Sequence, residues 1–263
     1  MRFHIITLFP EMFDSYLKES VLGRAIKQKK ISVSFLNPRK FVTGKYKKVW
    51  PDGNFSLQID DKPYAGGPGM VMMAEPIIKA VETTLRKITN YELRIKNKNI
   101  HPTLRAPLKR GIKSKVIIIN FVPFAEKFTT KTAKNISKKY TDIIMICGRY
   151  EGIDTRVDKI LSTQSGFALG GKTFNFKKLS IGDYVLTGGE IPAMVLIDSI
   201  SRQIEGVLGN FNSLEEERVS SSEVYTRPEV LEYKGKKYKV PKVLLSGDHK
   251  KIEKYKNLTR MIK

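Results

Sequence analysis

The sequence has few of the residues that most often bind metals or form cross-links. It contains one cysteine, Cys147, and three histidines, His4, His101 and His249, in 263 residues. A single thiol excludes a disulfide or a thiolate cluster within the chain, which is typical of proteins of the reducing cytoplasm. The histidines are widely separated and show no metal-binding spacing, so each is expected to be structural or exposed to solvent.

Long apolar segments are also missing. No apolar run approaches the ~18 residues that a membrane-spanning helix needs, and the N-terminus lacks the basic start and apolar core of a signal peptide. Hydrophobic residues nevertheless make up 41% of the chain, which indicates a globular protein. We therefore expect a cytoplasmic protein that does not associate with a membrane.

Acidic residues are scarce relative to basic ones. Lysine and arginine number 48 against 26 aspartates and glutamates, so the net charge is +22. A generally lysine-rich composition accounts for part of this excess. A field of this sign still attracts polyanions, and nucleic acid is the commonest of them.

The apolar pattern predicts strands that alternate with helices. Buried strands without polar alternation are predicted at residues 2–8, 115–120 and 142–147, and an alternating strand at 31–36. Helices are predicted at 11–29, 74–88, 129–139 and from 156 onward. This order is typical of an α/β fold with a mainly parallel sheet. A nicotinamide-binding Rossmann enzyme is disfavoured, because no GxGxxG segment follows the first strand.

The pattern also divides the chain into parts. It predicts a large domain at residues 1–209, with a basic insertion at about 90–114 and a second insertion at about 165–178. A polar, acidic linker is expected at 210–224, followed by a small, basic, helical C-terminal domain at 225–263. No internal repeat is present.

The rest of the chain is organised around residues 180–202, SIGDYVLTGGEIPAMVLIDSISR. A short strand is predicted at 181–186, then a turn through Gly188 and Gly189, then a helix with Pro192 in its first turn. Adjacent glycines leave main-chain groups uncovered, so this corner suits a flat polar ligand held by backbone hydrogen bonds. The alternative is a plain tight turn, because short glycine patterns often occur without function.

Two other segments carry similar signals. Gly148 directly follows a buried strand, at the edge where open α/β sheets bind ligands. The loop at residues 59–73, IDDKPYAGGPGMVMM, has the glycines and prolines of a shaped, ligand-facing loop, although a plain connector remains the alternative. Asp198 and Arg202 are spaced i,i+4 on one helix face, where they could form a surface ion pair.

Together these segments resemble the bacterial tRNA (guanine-N1)-methyltransferases of the TrmD family, which modify guanine 37 beside the anticodon. The resemblance spans residues 6–249 and rests on nine segments in the family's order: ITLFPEMF, GRA, DDKPYAGGPGMVMM, CGRYEGID, SIGDYVLTGGEIPAM, LIDSISR, GVLGN, YTRPEVLE and VPKVLLSGDH. It implies a SPOUT-type, deeply trefoil-knotted sheet and a homodimer with active sites shared between subunits. It also implies S-adenosyl-L-methionine as methyl donor, whereas dependence on Mg²⁺ stays open because no metal-binding pattern is present.

The resemblance assigns residues to each role. The cofactor pocket would use Pro123, Gly148, Tyr150, Glu151, Ile181, Gly182, Asp183, Tyr184, Val185, Leu186, Gly188, Gly189 and Pro192. The tRNA would contact Asp60, Asp61, Gly66 and Gly67. From their charge and position alone, Arg24, Arg39 and Lys62 are expected to bind its phosphates.

The reaction needs a general base for the N1 proton and a cation near O6 of guanine. The family's arginine corresponds to Arg202. The family's base is an aspartate that aligns with Glu217 here, and Glu216 is the alternative.

Two further functions remain open on the sequence. The altered base and the short C-terminal domain are compatible with a knotted RNA-binding protein whose catalysis is impaired. A SPOUT methyltransferase that acts on another RNA, such as ribosomal RNA, is the second alternative, although the GGPGM and YTRPEVLE segments argue against it.

Overall fold

The computed structural model describes residues 1–49, 55–64, 66–96, 115–163, 168–169, 172–208 and 223–260. Contacts divide the chain into two compact units, Met1–Leu208 and Gly209–Lys263, where the sequence predicts a division after Gly209. The strands are β1 (Arg2–Ile6), β2 (Ser32–Leu36), β3 (Lys47–Val49), β4 (Phe55–Leu57), β5 (Asp60–Asp61), β6 (Val71–Met72), β7 (Val116–Lys127), β8 (Asp142–Ile146), β9 (Ala168–Leu169), β10 (Lys172–Ser180), β11 (Val230–Tyr233) and β12 (Lys236–Lys239).

The α-helices are α1 (Asp14–Lys18), α2 (Ser20–Lys27), α3 (Ala74–Lys96), α4 (Thr130–Lys139), α5 (Arg156–Thr163), α6 (Glu190–Arg202), α7 (Lys242–Leu245) and α8 (His249–Arg260). Short 3-10 turns form at Pro10–Phe13, Pro38–Phe41 and Gly44–Tyr46. No described helix is both long and apolar enough to cross a membrane.

The first unit is built on a six-stranded sheet in the order β2-β1-β8-β7-β10-β9. The first five strands run parallel, and only β9 is antiparallel to its neighbour β10. Because every parallel strand ends at the same edge, the segments that follow β1, β8 and β10 converge there. The predicted mainly parallel α/β fold is confirmed.

Both faces of the sheet are buried, which explains why its strands lack polar alternation. On one face Ile117, Ile119 and Met145 pack with α1, α2, α4 and α6. On the other face Ile118 and Ile144 pack with α3 and α5. The central strands are therefore held on both sides, and the edge that carries their carboxyl ends is a rigid base for a site.

The predicted strand at residues 181–186 is wrong. The sheet ladder between β10 and β7 ends at Ser180, which pairs with Lys127. Immediately afterwards the Ser180 hydroxyl accepts from the Gly182 N–H at 3.3 Å and donates to the Gly182 carbonyl at 2.9 Å. Such local side-chain bonds compete with the ladder, so the chain leaves the sheet as a loop.

The predicted insertion at residues 165–178 is also wrong over much of its length. Residues 172–178 belong to β10, where Phe174 and Phe176 pack into the core beside Val116 and Ile118. Lys177 and Lys178 made this segment look like a surface excursion, yet lysines are a usual feature of strands near a sheet edge.

Two predicted helices have different limits in the structure. Residues 11–29 form a 3-10 turn and two helices that are interrupted at Glu19, rather than near Gly23. The helix predicted at 74–88 extends as α3 to Lys96 and so takes up the first part of the predicted basic insertion. The remainder of that insertion, residues 97–114, lies outside the described residues.

The second unit contains a hairpin as well as helices. Strands β11 and β12 pair antiparallel, with Val230 opposite Lys239 and Tyr233 opposite Lys236. Helices α7 and α8 follow. The sequence predicts the helix from His249 but not the hairpin. Its strands are mostly exposed, and together they carry three lysines, two tyrosines and a glutamate beside only two apolar residues.

A buried charge cluster lies at the amino-terminal ends of β1 and β8. The Asp142 carboxylate is fully buried and accepts from Arg2 Nε at 2.7 Å and Arg2 Nη2 at 2.9 Å. His4 Nε2 donates to the same carboxylate at 2.9 Å. Burial acts to raise the pKa of Asp142, but the hydrogen bonds from His4 and Arg2 together have the larger effect and lower the pKa from 3.8 to about 2.

We predict that Asp142→Asn lowers the free energy of unfolding by about 3–5 kcal/mol, because it removes the carboxylate that pairs with the buried Arg2 guanidinium. The folded pKa is depressed from 3.8, so this stability is present above pH 3.8 and is lost as the pH falls toward 2. Chemical denaturation of the full chain at several pH values measures both effects. The control Asp14→Asn removes an exposed acid paired with Lys18, and an equal loss there would contradict the prediction.

Candidate functional site

A cavity of about 440 Å³ lies at the carboxyl ends of the central strands. Its size falls within the range of about 300–1,000 Å³ that is common for small-molecule sites. Three stretches line it: part of β7, the segment after β8 and the loop between β10 and α6. The predicted cofactor residues that line it are Pro123, Gly148, Tyr150, Glu151, Ile181, Tyr184, Val185, Leu186, Gly188, Gly189 and Pro192.

The other two predicted cofactor residues do not line this cavity. Asp183 forms an exposed ion pair with Lys127. Gly182 is held by the Ser180 hydroxyl, as described above. In the loop between β10 and α6, Ile181 and residues 184–189 line the cavity, whereas Gly182 and Asp183 do not.

The floor of the cavity is made of backbone in direct contact with backbone. The Gly189 N–H donates to the Gly148 carbonyl at 3.0 Å, and Gly188 forms an isolated antiparallel bridge with Arg149. A Cβ on Gly189 would lie 2.6 Å from the Cys147 Cα, closer than two carbons can approach. Only glycine at this position lets the start of α6 rest on the end of β8.

A buried ion pair that the sequence did not reveal supports this floor. Glu190 is 1% exposed, accepts from Thr7 Oγ1 at 2.8 Å and lies 3.0 Å from Arg149 Nε without hydrogen-bond alignment. The Arg149 guanidinium also covers the Phe9 ring, with 4.7 Å between the carbon Cζ and the ring centroid. These contacts tie the ends of β1 and β8 to the start of α6, where a carboxylate is also favoured by the helix dipole.

Position along the chain could have drawn attention to this pair, since Arg149 follows Gly148 and Glu190 follows Gly189, and both glycines are predicted cofactor residues. The burial of the two side chains, however, cannot be read from the sequence.

The single cysteine lies beneath the floor of the cavity. Burial, with the nearby Glu190 carboxylate, raises the pKa of the Cys147 thiol well above its usual range. The thiol beneath the floor therefore stays protonated and is not a nucleophile.

The glycine-rich loop at residues 59–73 lies beside the cavity. The Glu151 N–H donates to the Met70 carbonyl at 3.0 Å, and the Met72 N–H donates to the Gly152 carbonyl at 3.0 Å. Gly69 has φ +88°, and a Cβ there would lie 2.6 Å from the Glu151 Cγ. The structure thus brings this loop against a residue that lines the cavity.

The residues predicted to contact RNA occupy different places. Asp60 and Asp61 form β5 and pair with β6, while Gly66, Gly67 and Lys62 are exposed in the loop between these strands. Hydrogen bonds from the Tyr46 hydroxyl and the Lys62 N–H lower the pKa of Asp61.

The two predicted arginines differ in their surroundings. The Arg39 guanidinium lies over the Phe9 ring at 5.7 Å, so it shares that ring with Arg149. Arg24 is exposed on α2, which does not contribute to the described lining of the cavity.

Apolar side chains stand exposed around the mouth of the cavity. Phe124 is 94% exposed and Val185 is 74% exposed, and Tyr150 and Tyr184 are each more than half exposed. Tyr150 has φ +59°, an uncommon conformation for a bulky residue. Such a rim suits a flat aromatic ligand or another protein surface. Phe124 was missed because a single phenylalanine in an apolar loop is usually part of a core.

The predicted catalytic residues lie elsewhere. Arg202 is in the last turn of α6, ten residues beyond Pro192, which at ~1.5 Å per residue places it about 15 Å along the helix from the cavity wall. Glu217 and Glu216 lie outside the described residues. Within the described residues, no group of three or more His, Cys, Asp or Glu side chains could hold a metal ion.

We predict that Gly189→Ala destabilises the chain by about 2–3 kcal/mol, because the added methyl group must displace backbone rather than a flexible side chain. Denaturant unfolding followed by circular dichroism measures this. Gly148→Ala is the matched control, since a Cβ there would meet only the Ile153 side chain, at 3.2 Å. Equal stability of the two variants would show that the backbone contact is not tight.

Comparison with known proteins gives a consistent result. The family described as tRNA (Guanine-1)-methyltransferase TrmD matches residues 1–263. The chain is similar to a tRNA (guanine-N(1)-)-methyltransferase of Clostridioides difficile (strain 630), at 40% identity over 260 residues, covering 97% of this chain and 90% of that protein. A protein of the same name from Pseudoalteromonas atlantica is 34% identical over 259 residues, covering 97% and 78%. A third, from Carboxydothermus hydrogenoformans, is 39% identical over 257 residues, covering 96% and 80%. The chain therefore belongs to the TrmD family of tRNA (guanine-N1)-methyltransferases.

Proposed function

We propose that this chain transfers a methyl group from S-adenosyl-L-methionine to N1 of guanine 37 in tRNA. The observation that carries the proposal is the cavity at the carboxyl ends of β7, β8 and β10, which is lined by the two glycine segments that characterise the family. The SPOUT-type trefoil knot and the cytoplasmic location expected from the sequence are part of the same proposal.

The cavity fits the methyl donor in size and chemistry. Its volume of about 440 Å³ is suited to a nucleoside that carries an amino acid. Ile181, Leu186 and Pro192 supply apolar walls for an adenine ring. The glycines beside them leave main-chain groups within reach of the polar ring edge, because no Cβ intervenes.

The donor carries an electrophilic methyl group on a sulfonium and needs no activation by the protein. The guanine does need it, since N1 of the neutral base carries a proton. We propose that the Glu217 carboxylate accepts this proton, with Glu216 as the alternative, as the methyl group bonds to N1. The Arg202 guanidinium would stabilise the negative charge that develops on O6.

A homodimer with shared sites would bring these groups together. Arg202 lies about 15 Å along α6 from Pro192, so the helix separates it from the part of the cavity wall that Pro192 forms in the same chain. The outer face of α6 carries Ile191 and Val195, both exposed, and Met12 and Tyr16 are exposed on the neighbouring turn and helix. We propose that a second copy of the chain covers these side chains and receives Arg202 at its own cavity.

The tRNA would approach from the side of the glycine-rich loop. Asp60, Asp61, Gly66 and Gly67 would lie near the target base, which must leave its stack before N1 becomes accessible. Arg24, Arg39 and Lys62 would contact phosphates. The basic C-terminal unit would add further contacts to the same polyanion.

The direct test is transfer of label from S-adenosyl-L-methionine to tRNA that carries guanines at positions 36 and 37. Methylation at N1 of guanine 37 supports the proposal. RNA binding without transfer would instead favour the catalytically impaired binding protein. Transfer to ribosomal RNA but not to tRNA would indicate a methyltransferase with another substrate.

We predict that Arg202→Ala lowers kcat by about 10²- to 10³-fold, as expected for loss of one group that stabilises transition-state charge, and leaves cofactor affinity unchanged. Mixing this variant with Leu186→Trp, which fills the cavity, tests whether the site is shared. A mixed dimer contains one site with an intact cavity and an intact arginine, so activity returns. If Arg202 acts within its own chain, the mixture stays inactive.

We predict that Glu217→Gln lowers kcat by about 10²- to 10⁴-fold, because the amide cannot accept the N1 proton. Glu216→Gln is the matched control and should retain near-normal kcat. Single-turnover rates with bound tRNA separate this effect from RNA affinity. The reverse pattern would assign the base to Glu216, and normal rates for both variants would exclude the two residues.

A further inference from the structure

A second cavity, of about 480 Å³, lies between α4, β7 and β10, and none of the residues assigned above lines it. Its polar lining comes mainly from Glu126, Asn135, Lys138, Lys139, Tyr140 and Lys177. We propose that this cavity binds a backbone phosphate of the RNA substrate, close to the nucleotide that enters the active site. The inference deepens the proposed function and rests on it.

The charge of the cavity favours an anion. Three lysines line it against one acid, and that acid is already engaged, because the Glu126 carboxylate lies 3.3 Å from Lys177 Nζ. Lys138 and Lys139, both exposed in the last turn of α4, supply the remaining positive charge. A phosphodiester is the anion that such lysines bind as point charges, and its neutralisation releases counterions from the RNA.

A neutral hydroxyl group belongs to another residue of the same lining. The Tyr140 hydroxyl accepts a hydrogen bond from Asn175 Nδ2 at 2.7 Å. A tyrosine hydroxyl can donate one hydrogen bond as well as accept one, and Tyr140 is among the residues that line the cavity. A tyrosine held in this way adds direction to the charge of the lysines.

The position of the cavity connects it to the active site. Lys177 lies on β10 two residues before Leu179, and Glu126 lies on β7 two residues after Phe124; Leu179 and Phe124 both line the first cavity. Leu179 of the first cavity is also paired with Glu126 of the second across the ladder between β10 and β7, so the two cavities are adjacent. A strand of RNA whose target base lies against the methyl donor at the first cavity can therefore place a flanking phosphate in the second.

The experiment compares a double variant with a matched control. Lys138→Ala with Lys139→Ala should weaken tRNA binding about 10-fold or more at low salt and lower the slope of log K against log salt by about 1–2, while S-adenosyl-L-methionine affinity is unchanged. Lys131→Ala with Lys159→Ala removes two exposed lysines from α4 and α5 outside the cavity. An equal loss in the control, or no loss in the test variant, would overturn the proposal.

Two further variants identify the ligand. Lys138→Arg with Lys139→Arg keeps both charges and should restore most of the tRNA affinity, and Tyr140→Phe should lose several-fold by removing one donor. Titration with inorganic phosphate distinguishes the sources. Phosphate binding that depends on the lysines, with unchanged tRNA affinity in the double variant, would assign the cavity to a small phosphorylated ligand instead of RNA. These are binding measurements, so a failure of methyl transfer in the wild-type chain would count against the proposed function alone.

Discussion

The site depends on one contact in which backbone meets backbone, the hydrogen bond from the Gly189 N–H to the Gly148 carbonyl. The carboxyl end of β8 and the start of α6 meet there with no side chain between them. Since parallel strands end together, this contact fixes the place where the segments after β7, β8 and β10 can enclose a cavity. Any Cβ at position 189 would separate the two elements and open the floor.

The contact is reinforced by charges that lie beneath it. A buried glutamate is costly unless it is paired, and Glu190 is placed between the Thr7 hydroxyl and the Arg149 guanidinium at the N-terminus of α6. Arg149 in turn lies against Phe9. Segments that begin near residues 7, 148 and 188 are thus connected by one network, which explains why widely separated motifs form a single site.

The pattern of buried strands allowed the parallel α/β class to be predicted, and the resemblance to the TrmD family supplied the thirteen expected cofactor residues, of which eleven line the cavity. The sequence could not show where β10 ends, since the Ser180 hydroxyl decides that through a local bond to Gly182. It also concealed β10 itself, because lysines near a sheet edge resemble those of a surface loop. The Arg149–Glu190 pair was invisible for a different reason, as burial is a property of the fold.

The length of α6 has a consequence for how the site is completed. Its first turn forms the cavity floor and its last turn carries Arg202, so one rigid helix separates the cavity from the arginine that the proposed mechanism places beside it. A rigid element cannot bend to close a gap of about 15 Å. In a dimer with two-fold symmetry the gap can be closed at both sites. The arginine end of each α6 would then lie near the cavity of the partner chain. The exposed apolar side chains of α6 are the surface on which such a pairing would rest.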